Sequence, residues 1–106
     1  MDHVFKALAS SERRLMLDIL NADPGSNVST VAAHFSMSRI GVMKHLAVLE
    51  NAELIVSEKA GRARKLYFNA IPIQKIYDRW TTEYSALWAG RLTALKYTIE
   101  AKETDQ

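Results

Sequence analysis

Several residue types are absent or scarce in this chain of 106 residues, and each absence excludes a class of protein. There is no cysteine, which excludes disulfides, thiolate metal sites, catalytic thiols and thiol redox sensing. With four glycines, two prolines and no low-complexity tract, the chain is not collagen-like, a linker or disordered. No apolar run approaches the ~20 residues of a membrane span, and the first residues do not resemble a signal peptide. We therefore expect one soluble, cytoplasmic domain over residues 1–106 with no membrane partner.

Positive charge, in contrast, is concentrated in one segment of a nearly neutral chain. The formal net charge is only +2. Four of the seven residues from Lys59 to Lys65 are nevertheless basic, and none of them is acidic. Such a segment favours a polyanionic partner, although a solvated surface loop would carry the same charges.

Apolar periodicity predicts four short helices in the first half of the chain. Steps of three and four residues indicate helices at about 2–9, 11–21, 29–35 and 38–51. Ser10 and Ser38 are suited to cap two of them, because a hydroxyl oxygen accepts a hydrogen bond from an unsatisfied backbone N–H. In the fourth helix Val42, Leu46 and Leu49 fall on one face, which we expect to be buried.

The second half of the chain begins with a different pattern. Two short β-type runs flank Gly61 and predict a hairpin over about 54–69, with the basic segment at its tip. Pro72 then opens one long helix, because proline is favoured in a first helical turn. Apolar residues at helical spacing extend this predicted helix to about residue 101.

Together these elements predict a mainly α fold with a small β-hairpin, the winged helix-turn-helix. Two short helices with a tight turn between them, followed by a cationic hairpin, are typical of that fold. Its second helix fits the major groove of double-stranded DNA, and the hairpin tip reaches the flanking backbone. The predicted DNA-binding residues are Ser38, Arg39, Ile40, Met43, Lys44, Lys59, Arg62, Arg64 and Lys65.

Burying the apolar face of the fourth helix turns four of these side chains outward. Arg39 and Lys44 suit contacts to phosphates or to guanine edges. Ile40 and Met43 are unusual on a solvated face. They are either contacts to thymine methyl groups or incidental surface apolar residues.

The predicted last helix has more apolar surface than so small a domain can cover, which favours a homodimer through the first and last helices. The predicted interface residues are Val4, Phe5, Leu8, Trp80, Tyr84, Leu87 and Trp88. A two-fold dimer would hold two recognition helices roughly 34–36 Å apart and require an inverted-repeat site. The aromatic stripe can alternatively belong to the core, or line a pocket for an unidentified small-molecule inducer.

Over nearly its whole length the sequence resembles the ArsR family of bacterial winged-helix repressors. The resemblance rests on Phe5–Ser10 with Arg13 and Arg14, on Met37–Val42 with Lys44–Leu46 and Val48–Glu50, on Leu54–Ile55 and on Gly61–Arg62. Lys65–Asn69, Pro72–Gln74 and Asp78–Trp80 resemble a metal-independent branch of that family. The resemblance implies a dimeric repressor that binds an inverted-repeat operator.

The family resemblance also bears on metals. Its metal sensors use a Cys-x-Cys pair at the third helix or Asp/His pairs on the last. Asn27 and Ser29 stand at the two Cys positions, and the predicted last helix has no histidine, so we expect no metal site and no cofactor. His45 stands at a family histidine that we expect to be structural or phosphate-facing. Ile40 and Met43 depart from the family pattern, so no operator sequence carries over.

Two other functions remain to be weighed against DNA binding. A winged helix can serve as a protein–protein assembly module without DNA; Ile40 and Met43 favour that alternative, and the basic residues oppose it. An enzyme is not predicted, because the sequence has no phosphate-binding glycine loop, nucleophile elbow or metal cluster. In the DNA-binding hypothesis, Arg13 or Arg14 adds a phosphate contact.

Overall fold

The computed structural model describes residues 1–81 and 83–104, in two units that divide after Ile73. The first unit contains α1 (Asp2–Leu8), α2 (Ser11–Ala22), α3 (Val28–Ala32), α4 (Arg39–Asn51), β1 (Ile55–Ala60) and β2 (Ala63–Phe68). The remaining helices are α5 (Ile71–Trp80) and α6 (Glu83–Thr104). This mainly helical architecture with one antiparallel hairpin confirms the predicted winged helix-turn-helix. A single domain over 1–106 stays a prediction.

Side-chain caps fix the starts of three helices. The hydroxyl oxygen of Ser10 accepts from the backbone N–H of Arg13 at 3.3 Å, which starts α2. Ser38 caps α4 in the same way, accepting from the N–H of Gly41 at 3.1 Å. Both caps confirm the prediction. Asn27 caps α3, which is shorter than predicted and ends at Ala32.

The core lies in the unit of residues 1–73 and determines the rotation of α4. The three residues predicted to face inward, Val42, Leu46 and Leu49, are all buried. Each side chain of this kind contributes roughly 1.5–3 kcal/mol when it leaves water. They pack in a core whose largest fully buried members are Met16, Leu20, Val31, Val42, Leu49 and Leu54. The opposite face of α4 is consequently directed to solvent.

The hairpin is joined to the segment before α3 by two backbone hydrogen bonds. β1 and β2 pair antiparallel from Ile55 opposite Phe68 to Ala60 opposite Ala63. The N–H of Gly25 donates to the carbonyl of Leu66, and the N–H of Leu66 donates to the carbonyl of Ser26, both at 2.9 Å. The start of α3 and the wing are therefore attached to each other.

The end of α4 directs the chain into the wing through a left-handed residue. Glu53 has φ 61°, a region that L residues other than glycine seldom adopt. The N–H of Glu53 donates to the carbonyl of Glu50 at 2.9 Å, and that of Leu54 to the carbonyl of Leu49 at 3.0 Å. This pattern is a Schellman motif, which satisfies the last carbonyls of the helix.

The prediction of one continuous helix after the wing is wrong. α5 ends at Trp80, and α6 begins at Glu83. The sequence has two threonines at this break, a residue type that is unfavourable inside helices. The hydroxyl of Thr81 donates to the carbonyl of Tyr77. This side-chain hydrogen bond competes with the backbone hydrogen bonds of the helix.

In these two C-terminal helices, the apolar side chains that the structure describes are largely exposed. The guanidinium of Arg79 lies 5.6 Å from the ring of Trp80, and that of Arg91 lies 5.4 Å from the ring of Trp88. Within the described residues, no helix has the length and apolarity needed to cross a membrane.

Candidate nucleic-acid interface

The outward face of α4 displays a mixed apolar and basic surface. Ile40, Lys44 and Ala47 follow one another at helical spacing opposite the buried face, and all three are exposed. Ile40 is 67% exposed and Met43 is 51% exposed. Met43 lies to one side of this row, against a cleft that the wing also lines. Three of the predicted recognition residues, Ile40, Met43 and Lys44, thus share the accessible N-terminal part of the helix with Arg39.

Arg39 is exposed but is held by α3. Its Nη1 donates to the hydroxyl oxygen of Ser29 at 2.9 Å. A guanidinium has five N–H donors, so those that remain are available to a phosphate or a base edge. The hydrogen bond nevertheless holds the group on the α3 side of the recognition helix.

The hydroxyl of Ser38 has two roles open to it. Its oxygen accepts the capping hydrogen bond from Gly41. The O–H itself is still a donor, because a hydroxyl both accepts and donates. Ser38 can therefore cap α4 and donate to a phosphate oxygen at the same time.

The basic residues of the wing divide between its two faces. Lys59 lies opposite Arg64 in the hairpin, and Lys65 lies opposite Glu58. Because side chains alternate along a strand, Arg64 shares the face of the buried Leu66, and Lys65 lies on the other face. Like charges directly opposite each other are destabilising, so the Lys59–Arg64 pair would be relieved by a bound anion.

The four basic wing residues form no ion pair within the described part of the chain. Lys59, Arg62, Arg64 and Lys65 are all exposed. Among the residues described, the only side-chain ion pair is between Lys96 and Glu100 in α6. The cationic charge of the wing is therefore available to a partner.

A cleft of about 440 Å³ brings the helix and the wing together. Its walls contain Arg39 from α4, Arg62 and Arg64 from the wing, and Asn27 and Ser29 at the start of α3. They include no acidic residue. Three arginines line this open cleft, and arginine is well suited to contacts with a phosphodiester backbone.

The two arginines at the start of α2 hydrogen-bond to the end of α1, and the predicted phosphate contact by one of them stays a prediction. Arg13 donates from Nε to the carbonyl of Ala7 at 2.8 Å and from Nη2 to that of Lys6 at 3.0 Å. Its Nη1 lies 3.1 Å from Nδ1 of His45. Arg14 donates to the carbonyl of Leu8 at 2.8 Å. The guanidinium groups thus satisfy the carbonyls at the end of α1.

The contact between Arg13 and His45 links two helices. An arginine only donates, so a hydrogen bond between these two side chains uses Nδ1 of His45 as its acceptor. This joins the end of α1 to the recognition helix and favours the structural one of the two roles expected of His45. Spacing alone could not reveal this contact, because the two residues are distant in sequence and lie on different helices.

A carboxylate near this junction is stabilised in its ionised form. The backbone N–H at Glu12 and the hydroxyls of Ser10 and Ser11 donate to it and lower the pKa of Glu12. An acidic group in a first helical turn also interacts favourably with the helix dipole.

The residues predicted for a dimer interface differ in how much surface they offer. On α1, Val4 is buried and contributes little surface, Leu8 is half-buried, and Phe5 is exposed. On the C-terminal helices Trp80, Leu87 and Trp88 are exposed. The predicted contact by Tyr84 lies outside the described residues, because the side chain at that position is not described.

The fold and the basic surface define the class of protein: a winged helix-turn-helix DNA-binding transcriptional regulator. Known proteins that resemble the chain are regulators too. An uncharacterized HTH-type transcriptional regulator of Bacillus subtilis, YuzN, is 35% identical over 85 residues, covering 74% of this chain and 92% of that protein. The transcriptional repressor SdpR of the same organism is 34% identical over 62 residues, covering 58% of this chain and 68% of that protein.

Solved structures specify the family. The crystal structure of an ArsR family transcriptional regulator matches with a TM-score of 0.69 and 33% identity, covering 83% of this chain and 89% of that one. An ArsR-like regulator from Rhodococcus sp. RHA1 matches with a TM-score of 0.69 and 30% identity, and the match covers 94% of this chain and 90% of that one. No protein-family model matches the chain. The chain belongs to the ArsR family of transcriptional regulators.

Proposed function

We propose that this regulator is a dimeric repressor that binds an inverted-repeat operator with its recognition helix and basic wing. The observation that carries the proposal is the convergence of Arg39, Arg62 and Arg64 on one cleft beside the outward face of α4. Two structural elements that contact DNA at different depths thus contribute positive charge to the same place. The repressor SdpR, a relative of this chain, supports the direction of regulation.

The basic residues divide into those that enter the groove and those that hold the backbone. Lys44 lies on the outward face of α4 and enters the major groove beside Ile40. Arg62 and Arg64 contact phosphates from the wing, with Lys59 next to Arg64 on the same face. Lys65 lies on the other face of the hairpin and contributes less.

A second copy of the chain is the partner of the apolar surface on α6. Trp88, Leu92, Leu95 and Ile99 follow one another at steps of four, three and four residues, and each is substantially exposed. That spacing is the apolar seam of a coiled coil, which packs against another helix with the same seam. Phe5 adds an exposed apolar residue on α1, as the predicted interface requires.

The regulator does not sense a metal through thiolate ligands, because the chain has no cysteine. In the part of the chain that the structure describes, no cluster of three His, Cys, Asp or Glu residues could hold a metal ion. We place the protein in the cytoplasm, where bacterial DNA lies. A small-molecule inducer stays an open alternative to constitutive repression.

Fluorescence anisotropy tests the DNA-binding proposal directly. The probe is a labelled duplex from upstream of the protein's own gene, at about 0.15 M salt with excess random duplex. We expect saturable binding at nanomolar protein. No binding even at low salt would contradict the proposal and favour the protein–protein assembly module. Loss of binding to competitor alone would indicate a non-specific wing.

Two neighbouring wing residues provide a matched pair of variants for the same assay. Arg64→Ala removes a charge from the cleft, and Lys65→Ala removes one from the opposite face. We expect Arg64→Ala to reduce the salt dependence of binding by about one unit, the effect of losing one phosphate contact. Lys65→Ala should change it less. Equal changes in salt dependence for the two variants would contradict the assigned orientation of the wing but not the proposal that the protein binds DNA.

A further inference from the structure

The recognition face of α4 exposes an apolar side chain at its N-terminal end. Ile40 lies one turn before Lys44 on the outward row of the helix, and it is 67% exposed. Met43, on the wing side of the same face, is 51% exposed. The N-terminal half of the outward face of α4 thus presents two exposed apolar side chains beside the ammonium group of Lys44.

The strongest candidate for reading guanine is oriented toward the cleft. Arg39 donates to Ser29 at 2.9 Å and lines the cleft toward the wing. A bidentate contact to guanine needs a guanidinium presented to the base edge in a fixed orientation. The hydrogen bond to Ser29 instead orients Arg39 for the cleft, where Arg62 and Arg64 also lie.

Only one base edge in the major groove offers an apolar group, the C5-methyl of thymine. Ile40 seated on any other edge would remove polar atoms from water without replacing their hydrogen bonds, which is unfavourable. We propose that Ile40 selects its operator by contact with a thymine methyl group, with Met43 as a second apolar contact on the wing side. The inference rests on the proposed function and specifies the base that its recognition helix reads.

Two selections from random duplex libraries test this inference, one library made with thymidine and one with deoxyuridine. Deoxyuridine pairs as thymidine does and lacks only the methyl group. We expect the first selection to enrich duplexes with a thymine in each half-site. Replacing that thymine by uracil should weaken binding roughly three- to tenfold, as expected for one buried methyl group.

Two variants separate methyl contact from charge. Ile40→Ser should bind the thymine and uracil duplexes equally, because the apolar contact is gone. Lys44→Ala should weaken both and preserve the difference between them. Since Ile40 is exposed, the circular dichroism and melting temperature of Ile40→Ser should match those of the wild type.

The outcomes separate this inference from the function on which it rests. Equal affinity of the wild type for the thymine and uracil duplexes would overturn methyl recognition and leave DNA binding intact. A methyl effect that survives in Ile40→Ser would overturn the role of Ile40. No enrichment from either library would overturn the proposed function, and the inference with it.

Discussion

The unit of residues 1–73 and the C-terminal helices use the same apolar residue types to opposite effect. Among the described residues, every buried core side chain lies in the first unit, where Leu20 and Leu49 are fully buried. On α6, Leu92 is 60% exposed and Leu95 is 55% exposed. The first unit buries its apolar residues within one chain, whereas these apolar residues of α6 are exposed to solvent. Periodicity identifies an apolar face but does not specify what covers it.

The largest expected effect comes from removing a core side chain of the first unit. Leu20→Ala should lower the free energy of unfolding by about 2–5 kcal/mol, because the cavity adds to the lost burial. Urea denaturation measures this effect. The matched control is Leu92→Ala on α6, measured at low protein concentration, which should cost far less. Similar losses from both variants would eliminate the contrast between the regions.

The contrast also predicts where association fails. Leu92→Glu puts a charge in the seam of α6, where a dimer would bury it without a partner. We expect the dimer dissociation constant to rise roughly a hundredfold or more. Sedimentation equilibrium measures that constant, with Lys102→Glu as a control for charge at the same end of the chain. A wild-type protein that is monomeric at every concentration measured would contradict the proposed homodimer.

Two adjacent arginines of the first unit should differ in how much they stabilise it. Arg13→Ala removes a side chain with three partners on α1 and α4, and should cost roughly 1–3 kcal/mol of unfolding free energy. Arg14→Ala removes one exposed hydrogen bond and should cost under about 1 kcal/mol. Chemical denaturation of both variants checks the order. A larger loss in Arg14→Ala would show that the junction with His45 is not stabilising.

One residue of the first unit works against its stability. Glu53 adopts a left-handed conformation at the end of α4, which glycine adopts without steric penalty. We expect Glu53→Gly to raise the free energy of unfolding by about 0.5–1 kcal/mol, since strain relief exceeds the added freedom of the unfolded chain. Thermal unfolding checks the sign. A lower melting temperature would mean that the Glu53 side chain contributes more than its backbone costs.

The smallest predicted effect depends on pH. Because the pKa of Glu12 is lowered in the folded state, its stabilisation is present above the unfolded pKa and is lost as the pH falls through the folded pKa. Wild type should therefore be more stable than Glu12→Gln near neutral pH, and the difference should shrink as the solution becomes acidic. Melting temperatures across the pH range measure it. A difference that does not change with pH would rule out the ionised carboxylate as its source.

Local signals predicted the recognition helix and the wing well. Ser38 is the cap that its hydroxyl and position indicated, and Val42, Leu46 and Leu49 are buried as their spacing required. Gly61, at the hairpin tip, has φ 63°, as the predicted turn allows. These features depend on residues a few positions apart, which is the range over which a sequence pattern is informative.

Features that depend on distant residues were not predicted. The pairing of Ser26 with Leu66 and the contact of Arg13 with His45 join segments far apart in the chain. The break at Thr81 was missed because the apolar periodicity continues across it, although threonine is a poor helix former. The basic residues proposed to contact DNA come from the sequence, but only the hairpin register separates Lys65 from Arg64.

A hydroxyl-radical footprint of the wild-type protein on the DNA upstream of its gene tests most directly whether it is a dimeric, sequence-specific regulator. We expect two protected patches related by two-fold symmetry, with centres roughly 34–36 Å apart, one for each recognition helix of a dimer. The protection should lie over an inverted repeat. One unsymmetrical patch, or uniform protection without regard to sequence, would contradict a dimeric, sequence-specific regulator.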